Sequence, residues 1–142
     1  MKTRQILLFL LIILQGTSAF PSITGEKMDE RLKIQEEKLD TDSNDTEALR
    51  EISYLYLQKA DYQKAIEYGT RLFNRGYEKE DYYGSILQAH ICLGQAYTMT
   101  GNIRLAYSNL GQAERLALTA HNDSALCSIY NGKGLYALNL QN

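Results

Sequence analysis

The chain has 142 residues, 44% hydrophobic and 23% charged, which suits one small folded domain and excludes the disordered, collagen-like and disulfide-stapled classes. A single Pro leaves long stretches free of helix breakers and favours helices throughout. Fifteen basic against seventeen acidic residues, a net charge of −2, advertise no surface for a nucleic-acid backbone or an anionic membrane.

Residues 1–19 read as a secretory signal peptide. Lys2 and Arg4 precede the apolar run from Ile6 to Leu14, and the small residues Thr17 and Ala19 mark a cut that would leave Phe20 as the new N-terminus. Nine apolar residues rise only about 14 Å as a helix, roughly half a bilayer's hydrocarbon core. Cleavage and export to a periplasmic or extracellular space is therefore the expectation, with an uncleaved anchor in the inner membrane as the alternative. No transmembrane helix is expected in the mature segment. No Cys follows the apolar run to take a lipid.

Residues 20–45 read as a lead-in amphipathic helix and linker. Between Glu26 and Leu39 a narrow stripe of Met28, Leu32 and Leu39, interrupted by Gln35, runs through charged positions. The run Asp40 to Asp45 is turn chemistry that ends this helix and offers caps to the next. Two sequons, at Asn44 and Asn122, fall where helices begin, and their polar residues read first as caps. Cys92 and Cys127, the two cysteines, are too few for a disulfide framework, and no neighbouring His completes a metal pattern.

From residue 46 onward apolar residues recur at helical spacing, and no segment alternates as a strand does. Leu49, Ile52 and Tyr56 form one stripe on a helix ending near Lys59. Asp61 caps a second helix whose stripe is Tyr62, Ala65, Ile66, Gly69, Leu72 and Phe73, with Gly76 as a left-handed stop. About forty residues later the order returns: His90, Leu93 and Tyr97, a stop at Gly101, Asn102 as cap, then Ile103, Ala106, Leu110 and Ala113. This period predicts a repeat protein.

The two segments LREISYLYLQKADYQKAIEYGTRL and HICLGQAYTMTGNIRLAYSNLGQA resemble the tetratricopeptide repeat family. The matching residues are Leu49, Ile52, Ser53, Tyr56, Asp61, Tyr62, Ala65, Gly69 and Leu72 in the first, and His90, Leu93, Gly94, Tyr97, Gly101, Asn102, Ala106, Leu110 and Ala113 in the second. In that reading Ser53, Gly94, Ala65 and Ala106 let paired helices approach closely while Tyr56 and Tyr97 fill the wedge behind them. The family's helix-ending Pro is absent, with Tyr77 and Leu118 near its places. The repeats are stretched in the manner of those in exported or membrane-bound sensory regulators of bacteria. The fold expected is all-α: a solenoid of tetratricopeptide-like helical hairpins, about two and a half repeats over 46–79, 81–121 and an incomplete 124–142. In the third, Gly134 takes the small position, Tyr130 the large one, and Lys133 stands where Leu is expected. Its stripe, including Ile129 and Leu138, is expected to lack a partner helix, so the chain reads as truncated, with self-association through the last helix possible.

Nothing in the sequence equips an enzyme. His90 and His121 have no Cys or carboxylate at ligand or triad spacing, no phosphate-binding or nucleophile-elbow motif occurs, and Gly132-Lys133-Gly134 lies within a helical pattern. The carboxylate pairs Glu36–Glu37 and Glu80–Asp81 read as solvated surface. No catalytic residue, metal or cofactor is expected. The resemblance implies a concave groove lined by the first helix of each pair, placing Glu47, Arg50, Tyr54 and Gln58, then Gln88, Ile91, Gln95 and Met99, then Asn131 and Leu135 along it. Chaperone-tail binders of the family use paired basic residues with Asn; here Arg50 stands alone and Tyr54 replaces the Asn, so that ligand class is not expected. The function implied is an exported interaction module for a protein or peptide segment, serving as the N-terminal sensory part of a bacterial signalling protein. The alternatives are a free-standing peptide-binding scaffold and, more remotely, a surface nutrient binder.

Overall fold

A computed structural model describes residues 25–140, and every described element is helical. The signal-peptide and cleavage expectations lie outside these residues. The chain divides into two units between Glu30 and Arg31. Of the first unit, Gly25 to Glu30 are helical; the packing below concerns the second.

Among the described residues six α-helices follow one another: α1 (Gly25–Thr41), α2 (Thr46–Gln58), α3 (Tyr62–Glu78), α4 (Leu87–Met99), α5 (Ile103–Thr119) and α6 (Asp123–Asn139). A five-residue π-helical turn, Tyr82–Ile86, leads into α4. Helices α2 with α3 and α4 with α5 pack as neighbours, α3 also lies on α4 and α5 on α6, and α2, α4 and α6 pack in sequence on one side.

One device makes four of the turns. At each, the backbone enters the left-handed region for one residue: Ala60, Glu80, Gly101 and His121, with φ of 60°, 56°, 75° and 50°. The next N–H then reaches back five residues, from Asp61 to the Tyr56 carbonyl at 3.0 Å, Asp81 to Gly76 at 2.8 Å, Asn102 to Tyr97 at 2.9 Å and Asn122 to Ala117 at 2.9 Å. This is a Schellman end, which satisfies carbonyls the helix leaves open. The residue that makes the long bond then caps the following helix. Asp61, Asn102 and Asn122 accept from the N–H of Lys64, Leu105 and Ala125, and Asp81 accepts from Gly84 and Ser85. Helices α3, α5 and α6 and the π turn therefore each begin two residues after a left-handed residue.

Two sequence expectations are corrected here. Gly76 is not a stop: it lies inside α3, buried, where a Cβ would sit 2.8 Å from the Ser85 Cβ and 2.9 Å from Ile86 Cγ1. The stop is Glu80, and Gly76 is a close approach between α3 and the π turn. Asp81 is not simply a solvated carboxylate either, because hydrogen bonds from the Ser85 hydroxyl and from the Ser85 and Gly84 N–H groups hold its pKa below the usual range.

An ordinary L-residue in the left-handed region costs about 1–2 kcal/mol, which glycine avoids. His121→Gly is thus expected to raise the unfolding free energy by roughly 1 kcal/mol, measured by urea denaturation at constant m. No gain would mean that the α5–α6 turn takes another form in solution.

The core runs the length of the array. Leu49, Ile52, Leu55, Leu72, Leu87 and Leu110 are fully buried, as are Ala65 and Ala106. Tyr56 is buried too, stacked on Tyr68 at 5.6 Å, and its hydroxyl donates to Glu36 of α1 at 2.9 Å. Burial first, and Glu36 second, push this phenol well above its usual pKa. Leu32 and Leu39 are the buried residues of α1. Tyr97 is only half-buried, so it fills its wedge less completely than Tyr56.

The last helix departs most from expectation. Ile129 does not await a partner: it is 0% exposed, in a cluster with Leu87, Ile91, Ala113, Ala117 and Ala125. Gly132 is the close-approach residue of α6, its missing Cβ leaving room for Leu110 Cδ2 at 3.2 Å, while Gly134 has nothing within 4 Å. Lys133, standing where Leu is expected, is paired with Glu114 of α5. Tyr130 and Leu138 do lie mostly in solvent.

Candidate functional site

Three helices contribute to one concavity of about 520 Å³. Arg50, Tyr54 and Gln58 recur every four residues on α2 and therefore share a face. Gln88, Ile91 and Gln95, spaced by three and then four residues, share a face of α4, and Asn131 with Ser128 supplies the α6 wall. The volume lies within the range of roughly 300–1,000 Å³ common to ligand clefts.

Seven of the ten residues placed on the groove by sequence thus line one space. Three do not. Glu47 sits a turn before the concavity and pairs with Arg50. Met99 and Leu135, 46% and 48% exposed, lie one turn beyond Gln95 and Asn131, outside its lining. Sequence reasoning omits Glu51, Ser53, Leu57, Cys92 and Ser128, which also line it. Ser53, a packing residue in the sequence pattern, is buried and also lines the concavity. The missing signal was helical breadth: Ser53 and Leu57 follow Arg50 and Tyr54 by three residues, so they border the same face.

The walls are internally braced. Gln58 donates to the Tyr54 hydroxyl at 2.8 Å, and Gln95 donates to the Ser128 carbonyl at 3.1 Å, which ties α4 to α6. Arg31 of α1 pairs with Glu51. At the base, the Cys92 thiol points at the carbonyls of Ser53 and Ala65, at 3.6 and 3.7 Å. Burial pushes this thiol up to about 11, against a smaller opposing effect of the Ser53 hydrogen bond.

Cys92 and Cys127 are unbonded, the first buried and the second exposed. Only about one in a thousand Cys92 thiols would be ionised at pH 8, and the thiolate is the reactive form. Iodoacetamide at pH 8 is expected to alkylate Cys127 alone in the folded protein and both cysteines in urea, as read by peptide mass. Alkylation of native Cys92 at the rate of Cys127 would mean that the α2–α4 contact opens.

Elsewhere the chemistry-bearing residues are occupied with structure. The His90 ring lies edge-on to Phe73 at 5.2 Å and 2.9 Å from Asn109 Oδ1, and burial lowers its pKa. His121 makes the α5–α6 turn. Among the described residues no group of three or more His, Cys, Asp or Glu is placed to hold a metal ion, and no helix is long and apolar enough to cross a membrane.

Comparison with protein-family models, curated proteins and solved structures finds no match for this chain.

Proposed function

We propose that the chain is an exported, non-catalytic interaction module built of tetratricopeptide-like helical hairpins, which holds a peptide or protein segment in its concave groove and serves as the sensory front of a bacterial signalling protein. One observation carries the binding reading: Arg50, Tyr54, Gln58, Gln95 and Asn131, far apart in sequence, converge on a single concavity. The sensory role rests on the stretched repeats and the apolar leader, features of the sequence alone.

Tyr54 is the natural anchor. It is 48% exposed on the groove wall, and tyrosines supply large contact area with few rotatable bonds. A short-peptide display library selected on the full chain is expected to yield binders whose affinity Tyr54→Ala lowers about tenfold or more, with the melting midpoint unchanged. Binders indifferent to substitutions at Tyr54, Gln58 and Asn131 would remove the groove from the reading.

A further inference from the structure

The charges on the groove wall are already engaged. Arg50 is paired with Glu47, and Glu51 with Arg31. What the wall leaves to a ligand is amide chemistry. The side-chain amides of Gln88 on α4 and Asn131 on α6 have no hydrogen-bond partner among the described residues, while Gln58 and Gln95 spend a donor on Tyr54 and Ser128 and keep their amide oxygens.

A primary amide carries both donors and acceptors, and so does each peptide unit of an extended main chain. Amide side chains on two successive wall helices can therefore pair with main-chain N–H and C=O groups irrespective of sequence. A charged ligand side chain would instead have to compete with Glu47 for Arg50 or with Arg31 for Glu51. Leu57 and Ile91 line the same space and supply its apolar wall.

We infer that the groove takes an extended, uncharged peptide segment, its main-chain amides bonded by Gln88 and Asn131 and an apolar side chain set against Leu57 and Ile91. This rests on the peptide-groove reading above and specifies its ligand chemistry.

The test uses the full chain and three short-peptide libraries: uncharged, acidic and basic. The uncharged library is expected to supply the binders, with affinity changing less than about twofold between roughly 0.05 and 0.5 M NaCl, because no ion pair is there to be screened. An N-methylated copy of the selected peptide keeps every side chain but loses its main-chain donors, and is expected to bind about tenfold weaker. The double variant Gln88→Leu with Asn131→Leu, which keeps approximate volume and removes the amides, is expected to lose a similar factor while melting normally. Acidic or basic binders that weaken with salt and compete for the groove would overturn this inference and leave the peptide groove standing. A selected peptide that tolerates N-methylation would do the same. Enrichment from none of the libraries would sink the groove reading and this inference with it.

Discussion

Truncating Ile129 to alanine is expected to cost about 2–4 kcal/mol of unfolding free energy, because a fully buried isoleucine gives up both its burial and the space it fills. For a domain of this size that is a fall of roughly 10 °C or more in the melting midpoint. The side chain is 0% exposed and packs with Leu87 and Ile91 of α4, Ala113 and Ala117 of α5 and Ala125 of its own helix. It is therefore the largest fully buried side chain that α6 contributes to the array. Leu135→Ala makes the comparison, since Leu135 is 48% exposed on the same helix and its truncation is expected to stay within about 0.5 kcal/mol. Equal small effects from both variants would mean that α6 is not docked. Hydrogen exchange offers an independent reading: amides around Ile129 should exchange as slowly as those of α4, and those near Leu138 faster.

Why the last helix misleads in sequence is a matter of which face is visible. Two faces of α6 carry apolar residues, and a stripe drawn through Ile129, Tyr130 and Leu138 mixes them. Ile129 faces α4 and α5; Tyr130 and Leu138 face solvent. At Lys133 the pattern is polar, because the contact it makes on α5 is the carboxylate of Glu114, whose pKa the Lys133 hydrogen bond lowers. A periodicity count sees a broken stripe where the fold has exchanged an apolar contact for an ionic one.

The turns show the same division between what residues announce and what they conceal. Asp61, Asn102 and Asn122 are legible as caps because their short side chains reach the next N–H groups and little else suits that position. Gly101 is legible as a left-handed stop. Ala60, Glu80 and His121 adopt the same conformation with no glycine to declare it, so the stop after α3 was assigned to the nearest glycine, Gly76. The π turn before α4 is likewise silent, since no residue type demands it. The groove is legible from helical spacing, every four residues on α2 and three or four on α4. Its floor was not, because Ser53 and Cys92 serve packing and lining together.

Three glycines turn this difference into opposite signs of one substitution. Gly111→Ala is expected to stabilise by about 0.5–1 kcal/mol, since the residue lies within α5 with nothing within 4 Å, and alanine forms helix better. Gly101→Ala is expected to destabilise by about 1 kcal/mol, although it too has open space, because its φ of 75° strains any Cβ. Gly76→Ala sets two effects against each other. Helix propensity favours alanine by about 0.5–1 kcal/mol, but overpacking costs about 1–3 kcal/mol. The second prevails here because the added methyl would stand 3.0 Å from the Ile86 backbone nitrogen as well as 2.8 Å from the Ser85 Cβ, and a backbone atom cannot rotate away. A net loss of roughly 1–2 kcal/mol follows, deepening in Gly76→Val, as read by urea denaturation of the variants side by side. If Gly76→Ala instead gained stability alongside Gly111→Ala, α3 and the π turn would be farther apart than described, and the entry of the chain into α4, which aims Gln88 and Ile91 at the groove, would have to be redrawn.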